Sequence, residues 1–175
     1  MSNHTKQIAS FIADLTPEAI SADVRDRTLM MIKDGSAALL AAANPSFSTG
    51  RTIAAHVQAL GGAPQSGVVG HGFKTNAVQA ALANGTMGYA CDIEPHHPEA
   101  ILHPIAIMTP VAMALAELEG ASGADLIAEV AIGCEIEYRV SMAIGPAQQY
   151  ALGFHPSSVC GAFGAAAASA YLLGL

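Results

Sequence analysis

The sequence has no tryptophan, aromatic residues make up only 5% of it, and charged residues only 12%. A core built on large rings is therefore excluded. The apolar half of the composition is led by alanine, which has the highest helix propensity and lets helices approach closely. Positive charge is scarcest of all: three Lys and four Arg are scattered among fourteen acids, for a net charge of −7. Without a basic stripe there is no electrostatic footprint for nucleic acid. The three cysteines, Cys91, Cys134 and Cys160, are an odd number and form no CxxC pair. That argues against a disulfide scaffold and for reduced thiols in a cytoplasmic protein. No positive neighbours surround them, so they read as small core fillers rather than nucleophiles.

No secretory pattern opens the chain, because MSNHTKQIAS lacks a basic-then-apolar order. The longest uncharged run, Val159 to Leu175, is short of the ~20 residues of a membrane span and rich in Ala and Gly. It reads as a buried core helix. A mean hydropathy of +0.41 is high for one soluble domain. Either much of the surface is covered by another chain, or further structure completes the domain.

What is present is helical punctuation. A first helix is expected over 4–14, and Thr16-Pro17-Glu18 is a start signal. A long helix follows from Ser21 to Ala43, its inner face marked by Val24, Thr28, Met31, Ile32, Gly35, Leu39 and Ala42. Another spans Thr49 to Leu60 and stops at Gly61-Gly62, before a Gly-rich loop over 63–73 with an extended piece at Val68-Val69. The next begins near Thr75 and ends near Asn84-Gly85, with a further turn over Thr86 to Cys91. His103-Pro104 opens a helix that closes at Gly120, with a kink or split expected at Pro110. Ser122-Gly123-Ala124-Asp125 resembles a capping box and starts a helix that ends at Gly145-Pro146. The last helix begins at Pro156-Ser157, where Gly161 and Gly164 permit close packing. Met30, Met31, Met87, Met108, Met113 and Met142 are expected in the core. The fold class is all-α, a bundle-like domain of about six to eight helices with a Gly-rich loop, and residues 1–175 form one domain.

Two polar segments interrupt this apolar chain. The first, Asn84 to Pro104, packs Asp92, Glu94, His96, His97, Glu99 and His103 together; the second is Gly153-Phe154-His155-Pro156-Ser157-Ser158. Histidine is the side chain best suited to proton transfer near neutral pH. His103 and His155 each precede a proline at a helix start, where the helix dipole disfavours imidazolium and free N–H groups suit a carboxylate. Ser157 and Ser158 add hydroxyl donors, and Asp92 is placed to orient an imidazole or act as an acid, with Glu94 and His97 as supporting partners. A carboxylate-bearing substrate and a base acting beside its carboxylate fit this set. The alternatives are bland: His-Pro is a common structural turn, and charge runs are commonly solvated faces. Metal binding competes on ligand types alone, but no zinc spacing and no HExxH is present.

At these segments the sequence resembles the MmgE/PrpD family. The matching residues are Asn84-Gly85 through Ala90-Cys91-Asp92, then His103-Pro104, Ser122-Gly123-Ala124-Asp125-Leu126, Gly133-Cys134-Glu135, and the GFHP-Ser run with Gly161 and Gly164 after it. The resemblance runs from about Leu15 to Leu175. It implies the N-terminal part of a helical domain lining a pocket for small di- or tricarboxylates, with metal-independent, cofactor-free lyase or isomerase chemistry. Asp92, His103 and His155 fall on family loop residues that bind substrate and transfer protons, and His96, His97, Ser157 and Ser158 are placed to bind it. The family's usual Asp-aromatic-Asp-Asp-Thr stretch is Asp92-Ile93-Glu94-Pro95-His96 here, with one extra residue before His103. Family members are well over twice this length, and their later part supplies an α/β lid domain and active-site lysines.

The sequence therefore carries two expectations. One is a lyase or epimerase part that acts on a small polycarboxylate as a homo-oligomer or with a second polypeptide, without nucleic acid or membrane. The other is a non-catalytic helical module for oligomerisation or partner binding.

Overall fold

A computed structural model describes residues 3–175 and shows an all-α domain. Eight α-helices are present among the described residues: α1 (His4–Asp14), α2 (Ala22–Ala43), α3 (Ser48–Leu60), α4 (Ala77–Gly88), α5 (Ile105–Glu119), α6 (Gly123–Ile144), α7 (Pro146–Ala151) and α8 (Pro156–Leu173). Strands β1 (Ser66–Val68) and β2 (Phe73–Thr75) form a small antiparallel hairpin between α3 and α4, with Val68 opposite Phe73. The sequence reading has β1 as a lone extended piece; its partner strand and the short α7 are additions.

The caps act as their residue types dictate. Ser21 accepts from the Val24 amide at the start of α2. Ser122 and Asp125 form a complete capping box at α6. Gly120 ends α5 in the left-handed conformation that glycine adopts without a Cβ clash. Thr16-Pro17-Glu18 begins only a 3-10 turn over Pro17–Ala19 before α2 starts.

Two expected breaks are absent. Asn84-Gly85 does not end α4. The Asn84 side chain is buried and turned to the hairpin, where it accepts from the Val69 amide at 3.0 Å and donates to the Gly67 carbonyl at 2.9 Å. This residue bolts β1 to α4 instead of capping a helix. Nor does Pro110 split α5, which is continuous through it. The Ala106 carbonyl, which Pro110 has no N–H to pair, faces Gly85 and Gly88 of α4, whose missing side chains leave room beside it.

Small residues set the packing distances. A Cβ on Gly164 of α8 would lie 2.6 Å from the Gly133 carbonyl oxygen of α6, so the two helix backbones meet there. One on Gly161 would strike Ile107 of α5 at 2.3 Å, and one on Gly35 of α2 would strike Ile105 at 2.0 Å. At Gly164, where the neighbour is backbone, an added methyl overpacks the core at about 1–3 kcal/mol, whereas at Gly161 it meets the movable tip of Ile107. α8 therefore buries a face of Cys160, Gly161, Gly164, Ala167 and Ala168, while Phe163 on its other side is 56% exposed. It is less buried than the sequence reading has it, and it is the one described helix long and apolar enough to cross a membrane.

Other faces depart from expectation in the same sense. Thr28, Gly35, Leu39 and Ala42 line the inside of α2, but Val24 is exposed. Met87 and Met108 are in the core, whereas Met30 and Met142 are exposed. Cys134 and Cys160 are buried, and burial pushes both thiols up, which leaves them inert as the sequence implies.

Two acids contradict the apolar interior. Glu129 and Glu137 of α6 are fully buried, and neither carboxyl has a hydrogen-bond partner. Burial pushes each up to about 8. Their ordinary value is 4.5, so the folded chain holds protons that the unfolded chain releases between pH 4.5 and about 8. Stability is therefore greatest below that window and falls as pH rises through it. Replacing Glu137 with Gln removes one of these protons from the balance. The difference in Tm between pH 5.5 and pH 8.5 should shrink in Glu137→Gln, with each kcal/mol recovered at high pH appearing as about 2–4 °C. An unchanged difference would show that Glu137 titrates alike in both states.

Candidate active site

Past the end of α4 at Gly88, the first polar segment is a loop that leads to α5, held in place from several sides. His97 N–H donates to the Leu102 carbonyl at 2.9 Å, which folds the loop on itself. Ala100 and Leu102 are buried beneath it, and the Ser141 hydroxyl of α6 donates to the Ala100 carbonyl at 2.7 Å. Asp92 and Ile101 take left-handed backbone angles, φ +51° and +49°, which non-glycine residues adopt only when their surroundings impose it.

The second polar segment meets this loop at the start of α8. The His103 amide donates to the Ser157 hydroxyl at 2.8 Å, joining residues 54 positions apart. Ser157 is buried at this junction, and His155 is the N-cap of α8. The two histidines singled out by sequence are thus brought to one place. Between them stands Tyr89, which sequence analysis passed over. Its ring lies edge-on to His103, with centroids 5.5 Å apart, and to His155 at 6.1 Å. Its hydroxyl is 3.2 Å from His155 Nε2. Burial, then the charges of Asp92 and Glu94, raise the Tyr89 phenol, so it remains protonated at neutral pH.

The acid beside His103 is Glu94. Its Oε1 is 3.3 Å from His103 Nδ1, within ion-pair reach although not aligned as a hydrogen bond, and the Glu94 side chain is fully buried. Glu94 Oε2 accepts from the Ile93 amide at 3.0 Å. Sequence analysis gave the orienting role first to Asp92, which is exposed, with Glu94 as support. Asp92, Glu94 and His103 each bring one donor atom within 4.8 Å of the others, and they are the described residues able to hold a cation.

An open cleft of about 550 Å³ lies beside Tyr89 and His155. Ala81, Leu82 and Gly85 of α4 and Ala106, Ile107 and Val111 of α5 form apolar walls, and Ser157 and Ser158 stand at the polar end. Neither Lys nor Arg lines it. His96 and His97 do not reach this cleft. They line a second cavity of about 410 Å³ with Arg27 and Tyr138. His96 packs against the His103 ring at 5.8 Å, and His97 against Tyr138 at 4.2 Å. His97 Nδ1 also accepts from the Ala100 amide and lies 3.3 Å from Glu99.

These features define the class: an all-α domain whose polar chemistry is confined to two loops that meet where α5 and α8 begin. Comparison with known proteins gives the family within that class. The chain belongs to the MmgE/PrpD family, since the pattern of the MmgE/PrpD N-terminal domain matches residues 6–175. It is 29% identical over 180 residues to a cis-aconitate decarboxylase-like protein of Aspergillus oryzae, covering 99% of this chain and 37% of that protein. It is 31% identical to the cis-aconitate decarboxylase of Aspergillus terreus, covering 98% of this chain and 36% of that protein. The human cis-aconitate decarboxylase is 36% identical over 55% of this chain and 21% of its own length. The relatives are lyases by name, and the chain spans little more than a third of the first two.

The Ser157–His103 bond gives a direct check on how the two segments are joined. Ser157→Ala leaves the His103 amide without its partner, which should destabilise the fold by about 1–3 kcal/mol. Amide hydrogen exchange at residue 103 should accelerate beyond that of the α5 core. Unchanged protection at that amide would show that another group holds the loop.

Proposed function

We propose that this chain is the helical part of a lyase that acts on a small di- or tricarboxylate by histidine-mediated proton transfer. The observation that carries this reading is the convergence of His103 and His155 on Tyr89, which lines the cleft with His155 while His103 stands behind it. The relatives' names favour decarboxylation of cis-aconitate. Loss of carbon dioxide leaves an electron pair on carbon, and a positioned acid must supply a proton there. Dehydration and epimerisation need the same service in the other direction, a base that takes a proton beside a carboxylate. His155 and His103 serve as that acid or base. Glu94 and Asp92 hold the His103 side of the site, and Ser158 and the start of α8 receive a substrate carboxylate.

A tricarboxylate brings three negative charges to a cleft that no Lys or Arg lines. Arg27, with His96 and His97 in the neighbouring cavity, offers one cation close to the loop. The remaining countercharge comes from further polypeptide, either a second chain or a continuation that covers the cleft. The working enzyme is a homo-oligomer or a complex in the cytoplasm. The exposed apolar residues Val78, Leu82, Phe154 and Phe163 suit such a covered face. They also favour the second reading, a helical module that assembles without catalysis.

Hydrogen exchange separates the two. Protein purified from its source, with any polypeptide that accompanies it, is incubated with cis-aconitate and related polycarboxylates in D₂O. NMR should show deuterium entering a carbon beside a carboxylate, and His155→Ala should slow this by about 10²-fold or more. Exchange unaffected by the substitution removes His155 from the reaction. Native mass spectrometry that finds only a homo-oligomer, with no exchange, establishes the assembly module.

A further inference from the structure

Tyr89 does more than pack between two imidazoles. It is the residue that ends α4, with its amide bonded to the Gly85 carbonyl at 3.2 Å, so its backbone is fixed by the helix. Its hydroxyl faces His155 Nε2 at 3.2 Å, and both residues line the cleft. Either group can donate in principle, but their chemistries are unequal. A phenol is a much stronger acid than the N–H of neutral imidazole, and a bare imidazole nitrogen is a much stronger base than a phenol oxygen. These chemistries favour the arrangement in which the Tyr89 hydroxyl donates to Nε2, which leaves the ring proton of a neutral imidazole on Nδ1.

This tautomer changes what His155 can do. Its Nε2 lone pair is then occupied by the phenol, while the Tyr89 oxygen keeps a lone pair for a substrate in the cleft. Resting on the proton-transfer reading above, we infer that Tyr89 is the catalytic residue that touches substrate and that His155 acts through it as the proton store. In the forward step a substrate C–H bond breaks as a bond from that hydrogen to Tyr89 Oη forms. The original Oη–H bond breaks as Nε2–H forms. The electron pair stays on the substrate carbon beside its carboxylate, and His155 ends as imidazolium. Reversal delivers a proton to a carbanion, with Tyr89 giving its hydrogen and being refilled from Nε2.

The surroundings fit a relay in which phenolate never accumulates. Burial, then the charges of Asp92 and Glu94, raises the Tyr89 phenol and holds its proton in place. Tyr150 packs edge-on against the His155 ring at 5.5 Å and limits its rotation. The two histidines are thereby inequivalent. His103 Nδ1 faces Glu94, and the ring meets Tyr89 only through an edge contact.

The test begins with the tautomer, which requires no turnover. Long-range ¹H–¹⁵N correlation on the ¹⁵N-labelled chain at neutral pH should show His155 protonated at Nδ1 and bare at Nε2. Tyr89→Phe keeps the ring and removes the hydroxyl, and should move the resonance towards the Nε2–H form. A wild-type Nε2–H tautomer, or a spectrum unchanged by the substitution, overturns the hydrogen-bond assignment and the relay with it. Exchange in D₂O then tests the chemistry. Tyr89→Phe and His155→Gln should each reduce it by about 10²-fold, and the double variant should be no worse than either, because the two act as one unit. Wild-type exchange that survives Tyr89→Phe overturns the relay alone. Absence of exchange with every polycarboxylate in the wild type, purified from its source with any polypeptide that accompanies it, overturns the function it rests on. His103→Gln, assayed in parallel, should leave the His155 tautomer unchanged.

Discussion

The meeting of α6 and α8 at Gly133 and Gly164 is the constraint on which the site depends. Backbone touches backbone there, with no side chain to act as a spacer. That contact fixes the depth at which α8 lies, and α8 carries His155 and Ser157 at its first turn. α6 also supplies the Ser141 hydroxyl that holds the loop before α5. One helix therefore positions both polar segments, directly through Ser141 and indirectly through its glycine contact with α8. A polar loop that would otherwise wander in solvent is pinned at Ala100, Leu102 and His103 by bonds and burial.

The electrostatics are as one-sided as the composition. Acids and imidazoles gather around Tyr89, whereas the cleft that it lines with His155 has apolar walls and neither Lys nor Arg. A pocket of this kind can hold protons but is poorly equipped to hold anions. The division is consistent with a domain that supplies part of a site, and with a chain covering 36–37% of its fungal relatives. The buried, unpartnered Glu129 and Glu137 extend the same imbalance into the interior, where neutralisation by a proton replaces neutralisation by a cation.

Much of the architecture was legible because helix starts and stops are local chemistry. The capping box at Ser122 and Asp125, the prolines after His103 and His155, and the glycines that end α3 and α5 all act within a few residues of themselves. The failures were equally local in form but tertiary in cause. Asn84 looks like a helix stop until the hairpin that its amide serves is in view. Pro110 looks like a break until the glycines of α4 are seen beside the carbonyl it leaves unpaired. Val24 fits the helical period of α2, and Met30 and Met142 are residues of core type, but all three are exposed. At the site, sequence pointed to the histidines by residue type and position. It passed over Tyr89, because a tyrosine carries no such signal and its partner lies 66 residues away. Glu94 was separable from Asp92 only once the fold had buried one and exposed the other.

The glycine and alanine seam through the middle of the domain also bears on how such a protein can change over time. A joint made of the smallest residues has no shorter alternative, so mutation there can only add volume to a space that has none. Substitution costs less at the solvent-facing side chains of the loop before α5, such as Ile93 and Glu99, where an added atom meets water.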